Sequence, residues 1–324
     1  MSLTLDQIKQ PVAKELKEFE GFFKDSMKSN VALLDTVMYY IYKRKGKQVR
    51  PILVMLTAKM LGEITKDTYT GAALIELLHT ASLVHDDVVD DSMMRRDFFS
   101  INALWKNKIA VLVGDYLLAK GMLLSIDGNK FEFLKILSSA VKMMSEGELL
   151  QIQKARKLDI DEEIYFEIIK NKTASLISSA CAIGAASVTD EQGTIKKLAD
   201  YGEKIGIAFQ LKDDLFDYGD DEIGKPRGID IKEKKMTLPL IYSLQNSSKS
   251  EKHFIINTIK NHSEDNKKVK ELINMIKDKG GMDYTISMMQ KYRDKANEIL
   301  LTIPENQSRN SLMSLSDYII NRNK

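Results

Sequence analysis

Two short stretches of this sequence carry aspartates at a spacing that helix stability alone does not favour. The first is His85-Asp86-Asp87-Val88-Val89-Asp90-Asp91, and the second is Gln210-Leu211-Lys212-Asp213-Asp214-Leu215-Phe216-Asp217. On a helix, Asp86 and Asp90 stand one turn apart, as do Asp87 and Asp91, and Gln210, Asp213 and Asp217 share a face at steps of three and four. A hard cation would relieve the repulsion between stacked carboxylates. Mg²⁺ (or Mn²⁺) takes one or two of them and leaves its other positions to water and substrate phosphate. Arg95 and Arg96 follow the first cluster, and guanidinium groups bind phosphate bidentately. Together these groups suggest a diphosphate held through metal. A lone cluster reads equally well as a solvated acidic helix end. Two of the same spacing, each at the end of an apolar helix, are explained if they face each other across metal ions.

Helices must position both clusters. Leu74, Leu77, Leu78, Ala81, Val84 and Val88 recur at helical spacing ahead of the first. Pro11 fits the first turn of a wall helix, and Asn30 can cap the next. The basic turn from Lys43 to Pro51 leads into an apolar helix, and further helices are expected over about 102–124, 140–154 and 161–188. The second of these apolar stretches to carry polar groups is the last, with Lys172-Thr173 amid apolar neighbours; Asp115 in 102–124 needs a partner or water. Residues 218–239 lack helical periodicity and read as a mobile lid, with the chain beyond them helical scaffold broken near Ser247, Asn261, Gly280-Gly281 and Pro304.

Composition bounds the class. The 324 residues contain 5 Pro and 17 Gly and alternate little, so the expectation is an all-α, single-domain bundle over 1–324. A net charge of +2 with interleaved signs argues against nucleic-acid binding. The single cysteine, Cys181, reads as a buried side chain in a reducing compartment, and no secretory or transit pattern opens the chain, so a cytoplasmic protein is expected. The longest uncharged run, Thr173 to Thr189, is too short to span a bilayer, so no transmembrane segment is expected, only transient membrane contact on product release.

At this point the residues resemble those of the trans-isoprenyl diphosphate synthases, which elongate an allylic prenyl diphosphate with isopentenyl diphosphate. The resemblance runs in order from Gly46-Lys47-x-x-Arg50-Pro51 through both aspartate motifs to Gly228 and Thr237-Leu238-Pro239. It implies an all-α bundle with the two motif helices facing a central cavity, as a homodimer. Residue by residue, it implies that Asp86, Asp90 and Asp213 ligate Mg²⁺ with Asp87, Asp214 and Asp217 assisting. Arg95, Lys172, Thr173, Gln210 and Lys225 would hold the allylic diphosphate. Lys47, Arg50, His79 and Arg96 would hold isopentenyl diphosphate, with Lys235 closing from the lid and His85 set behind the metal motif. Asp86, Asp90, Asp213, Lys172 and Lys225 would carry the catalysis as ligands and electrophiles. Asp97, Phe99, the Lys45-Gly46 pair and Lys234 depart from the family pattern, in loops rather than ligands.

The resemblance also bears on product length. In this family an aromatic residue four or five positions before the first aspartate blocks the product tunnel; Ser82 and Ala81 stand there, which implies a long-chain synthase. Its floor would lie deeper, at Met122 or Leu74. The alternatives are a short-chain (farnesyl or geranylgeranyl) synthase, an HD-type metal phosphohydrolase and a non-catalytic synthase subunit. Four histidines, two of them in the polar C-terminal part, are few for the phosphohydrolase, and both motifs are complete where a non-catalytic subunit would lack part of one.

Overall fold

Apolar residues recurring every three or four positions form helices, as their period requires. The computed structural model describes residues 3–44, 46–95, 98–155, 158, 160–219 and 228–322. In chain order these carry α1 (Leu5–Ile8), α2 (Ala13–Ser26), α3 (Ala32–Lys43), α4 (Val49–Leu61), α5 (Lys66–Val89), α6 (Ile101–Asp127), α7 (Phe131–Ala155), α8 (Glu162–Ile169), α9 (Ser175–Ala186) and α10 (Gln192–Phe216). The short α11 (Ile229–Lys232) and α12 (Leu238–Gln245), α13 (Lys249–Asn261), α14 (Asn266–Asp278), α15 (Gly281–Leu301) and α16 (Gln307–Asn321) complete the all-α fold. One antiparallel hairpin, β1 (Met94–Arg95) with β2 (Phe98–Phe99), pairs Met94 with Phe99 and Arg95 with Phe98.

The centre is built from helices that are apolar on nearly all sides and therefore buried. Pro51 to Ala58 of α4 and most of α9 are buried, and α5 is buried without a break from Thr70 to Leu78. Both α5 and α10 run antiparallel to α9. Thr68 of α5 meets Ser187 beyond the C-terminal end of α9, and Ser178 bonds to Ala199 O of α10. The C-terminal ends of α5 and α10, which carry the aspartates, therefore flank the N-terminal end of α9. Gly202 and Gly206 allow the close approach: a Cβ at Gly202 would fall 2.7 Å from Ser178 Cα, and one at Gly206 2.7 Å from Ala174 Cα, so no larger residue lets α10 come this near.

Three expectations need correction. The helix expected over 161–188 is broken by a π-turn at Lys170–Ala174, which widens the backbone where Lys172 and Thr173 lie. Pro11 sits in a 3₁₀ turn before α2, and Asn30 does not cap α3, whose N-cap position is Val31 with no side-chain cap. In the stretch read as a lid, residues 220–227 lie outside the described residues. Within the rest, Asp217 accepts the Ile229 and Asp230 N–H groups at 2.9 and 3.2 Å and so caps α11, and the Tyr218 and Thr237 hydroxyls are 2.5 Å apart.

By length and apolarity alone α6 could cross a membrane, which the sequence reading did not anticipate. Its inner edge packs on α5 through Ala110, Val113, Gly114, Leu117 and Gly121, while Val111, Leu112, Met122, Leu123 and Ile126 are exposed on the other side.

Candidate active site

The last turns of α5 present the first acidic cluster. Asp86 is partly buried, and burial comes first in pushing its carboxyl above the usual range; Lys172 opposes this, while Glu148 and Asp90 reinforce it. Asp90 closes the helix, its N–H bonded to Asp86 O at 2.8 Å. Asp87, expected to assist at the metal, is buried instead and held by Arg95, with Nε at 2.8 and 3.0 Å and Nη2 at 2.7 Å. Arg95, expected on the allylic diphosphate, is thus committed in this structure to Asp87. The hairpin makes this possible: Ser100 closes it, donating from its hydroxyl to Ser92 O at 2.6 Å. Arg96 and Asp97 lie outside the described residues.

The end of α10 presents the second cluster, and each aspartate there has a distinct partner. Asp213 is paired with Arg322, whose guanidinium lies 4.1 and 5.5 Å from the Phe209 and Phe216 ring centres. Asp214, also expected to assist at the metal, is buried; it accepts from the Tyr165 hydroxyl at 2.5 Å and Gln210 Nε2 at 2.9 Å, and burial pushes its carboxyl up to about 7. Asp217 is occupied in capping α11, and burial raises it as well. Asp230, which sequence reading did not single out, joins this group, pushed up to about 6 by burial and then by Asp217.

Two lysines connect the clusters. Lys172 is paired with Glu148, lies 3.3 Å from Gln151 Oε1, and is close enough to Asp86 to stabilise its charge. Lys235 is paired with Glu233 and acts on both Asp230 and Asp90; these anions outweigh its burial and raise its pKa. Lys172, Thr173, Gln210, Asp214, Asp230 and Lys235 line one cavity of about 270 Å³. Among the described residues no three metal-binding side chains converge on one point. The donor set is nevertheless all carboxylate oxygen. It fits a hard divalent cation that completes its shell with phosphate and water.

The basic turn lies at the start of α4. Gln48 is left-handed (φ 51°) ahead of α4, and Lys47 Nζ is 3.4 Å from the Tyr318 hydroxyl on α16. Arg50 lies in the first turn of α4. His79 lines a separate cavity of about 100 Å³ with Glu76, Thr80, Asp87 and Arg95, not the cavity of Lys172. The Arg44 guanidinium closes that cavity, 3.4 Å from the Tyr40 ring centre and 4.6 Å from that of Phe98. Lys225 lies outside the described residues.

Below Asp86, Ala81 is fully buried, and the partly buried Ser82 donates to His79 O at 2.9 Å. Met122 is 42% exposed, so within one chain it cannot floor an internal tunnel. The reason is register: α6 turns Gly121 towards α5, where a Cβ would fall 3.2 Å from Leu74 Cδ1, and Met122 is rotated outward. Leu74 remains buried. His85 packs on Gly114 and lies 3.6 Å from Asp115, whose side chain is 63% exposed and so needs no buried partner. Sequence reasoning missed Tyr165, Glu148, Gln151, Asp230 and Arg322. Asp230 stood beside the recognised Gly228, which was its one available signal; Arg322 lay in a stretch read as scaffold.

This arrangement of helices and charges defines a helical prenyltransferase. The chain belongs to the polyprenyl synthetase family, whose model matches residues 31–276 and whose members act on isopentenyl and prenyl diphosphates with a divalent metal. It is 35% identical over 315 residues to the all-trans-nonaprenyl-diphosphate synthase (geranyl-diphosphate specific) of Rhodobacter capsulatus, covering 96% of each chain. It is 32% identical over 338 residues to the geranylgeranyl diphosphate synthase of Saccharolobus solfataricus, covering 100% of this chain and 98% of the other. Its fold matches the crystal structure of a polyprenyl synthase from Caulobacter crescentus complexed with calcium and isoprenyl diphosphate. That match has a TM-score of 0.92 and 32% identity, covering 100% of this chain and 99% of the other.

Proposed function

We propose that this chain is a long-chain trans-polyprenyl diphosphate synthase whose active site lies between the ends of α5 and α10. The observation that carries this is the placement of Lys172 and Lys235 between the two acidic clusters: Lys172 acts on Asp86, and Lys235 on both Asp90 and Asp230. Anions and cations so interleaved suit a ligand that brings its own negative charge together with metal.

Asp86, Asp90 and Asp213 would hold Mg²⁺, which when bound supplies charge neutralisation of the leaving diphosphate. Lys172, Thr173, Gln210 and Lys225 bind and orient the allylic diphosphate, and Lys172 absorbs negative charge as the C–O bond breaks and the diphosphate leaves with the electron pair. Lys47, Arg50, His79 and Arg96 orient isopentenyl diphosphate so that its double bond attacks the allylic carbon. A C–C bond forms and a proton is lost, which the departing diphosphate accepts. Arg95 serves by holding Asp87, which fixes the turn after Asp90.

Ala81 and Ser82, small side chains where an aromatic one would block, support the long product, and Leu74 takes over the role of floor. Both long-chain and geranylgeranyl synthases stand among the relatives, so product length needs its own measurement. Chromatography of products from isopentenyl diphosphate and each short allylic primer provides it; products of four or fewer units would refute the long-chain reading.

The exposed apolar edge of α6 supports a homodimer, because Val111, Leu112, Met122, Leu123 and Ile126 share one helical face, with Asp115 the charged residue among them. Leu112→Asp with Leu123→Asp should convert a dimer to a monomer in analytical ultracentrifugation. A wild-type chain that sediments as a monomer would refute this.

A further inference from the structure

The hydrogen bonds behind the second acidic cluster extend well beyond it. Tyr165, 4% exposed on α8, donates from its hydroxyl to Asp214 Oδ2 at 2.5 Å. Asp214 Oδ1 accepts from Gln210 Nε2 at 2.9 Å, and Gln210 Oε1 accepts from the Thr173 hydroxyl at 2.8 Å. One continuous relay thus joins α8, α10 and the π-turn. Its direction is set at the Thr173 hydroxyl, which donates to the Gln210 amide oxygen and leaves the amide nitrogen to bond Asp214.

Each end of the relay has a reason to exist. A carboxylate as buried as Asp214 is costly unless both oxygens find donors, and Tyr165 supplies one of the two. A π-turn lacks the i→i−4 bonds of an α-helix over its length, so a side-chain bond at Thr173 fixes a backbone that local bonding holds less firmly. Lys172 is the residue just before Thr173. The aromatic ring of Tyr165 has a separate task, packing edge-on to Phe166 at 5.4 Å. Removing the hydroxyl alone leaves that packing in place.

We propose that Tyr165 is a positioning residue for prenyl transfer: through Asp214 and Gln210 its hydroxyl fixes Thr173, and with it the π-turn that aims Lys172 at the allylic diphosphate. This rests on reading Lys172 and Thr173 as ligands of that diphosphate. Tyr165 lines the same cavity of about 270 Å³ and acts through its hydrogen bond to Asp214; its influence falls on one substrate only, because the basic turn at Lys47 belongs to different helices.

The test is steady-state kinetics of Tyr165→Phe, Thr173→Val and the double variant, each substrate varied in turn, with thermal unfolding alongside. Losing one hydrogen bond to a charged group corresponds to roughly a tenfold to hundredfold loss, expected in kcat/KM for the allylic substrate with the isopentenyl diphosphate KM unchanged. Because both variants cut one relay, the double variant loses no more than the worse single one. The proposal is overturned if Tyr165→Phe has wild-type allylic kinetics, if both substrates are weakened alike, or if the two losses multiply. Should Tyr165→Phe fail to fold, Gln210→Leu with Thr173→Val puts the same question one link further on: non-multiplying losses support the relay and multiplying losses overturn it. Wild-type protein without chain elongation would instead refute the reading of the site, which keeps the two failures distinct.

Discussion

Arg95 grips Asp87 through three contacts of 2.7 to 3.0 Å, while Asp86 next to it has no such partner among the described residues. Two adjacent aspartates of one motif therefore have opposite energetic roles. Asp87 is a buried anion compensated by a guanidinium. Asp86 is an anion whose burial is not fully compensated, as the rise in its pKa records.

Thermal unfolding should separate them. Asp87→Asn leaves Arg95 without its carboxylate and should cost about 2 kcal/mol, below the full value for a buried pair because Arg95 remains partly exposed. Asp86→Asn should leave Tm unchanged or raise it in metal-free buffer. Equal losses in the two variants would contradict this division.

The pH dependence of stability has a definite sign. Burial raises the carboxyls of Asp214 and Asp230 to about 7 and about 6, from 3.8. A raised carboxyl pKa stabilises the fold fully below the unfolded value, and that contribution is lost as pH rises through the folded one. Metal-free wild type should therefore lose stability from about pH 4 to about pH 7 relative to Asp214→Asn, which cannot ionise there. A Tm difference between the two that stays constant over that window would count against burial as the cause of the shift.

The fold was legible where side-chain period decides structure, and the site where unusual spacing did. α5 and α10 announced themselves because apolar periodicity ran straight into paired aspartates. The π-turn at Lys172 was not legible, since a single extra residue does not disturb apolar periodicity on either side. Nor was the division of labour within each motif, because helical phase places Asp87 and Asp214 only to within a face, while Arg95 and Tyr165 come from other elements to claim them. Arg322 illustrates the limit: more than a hundred positions separate it from Asp213, and nothing local to either marks the pair.

Product length should respond to Ala81. The residue is fully buried one and a half turns before Asp86, where a tyrosine would project across the path of a growing chain. Wild type should make long-chain products, and Ala81→Tyr should shorten them into the short-chain range. The first condensation should survive. A wild-type length distribution from Ala81→Tyr at normal rates would show that the tunnel does not pass this face.

We propose that carboxylates from both helices act on one diphosphate through metal. The most direct test is the turnover of labelled isopentenyl diphosphate, with diphosphate release counted alongside, for wild type, Asp86→Ala and Asp213→Ala across an Mg²⁺ titration. Wild type should release one diphosphate for each unit added and stop in excess chelator. Each variant should lose several orders of magnitude in kcat while keeping its fold. Undiminished turnover in either variant, or elongation in excess chelator, would contradict the account.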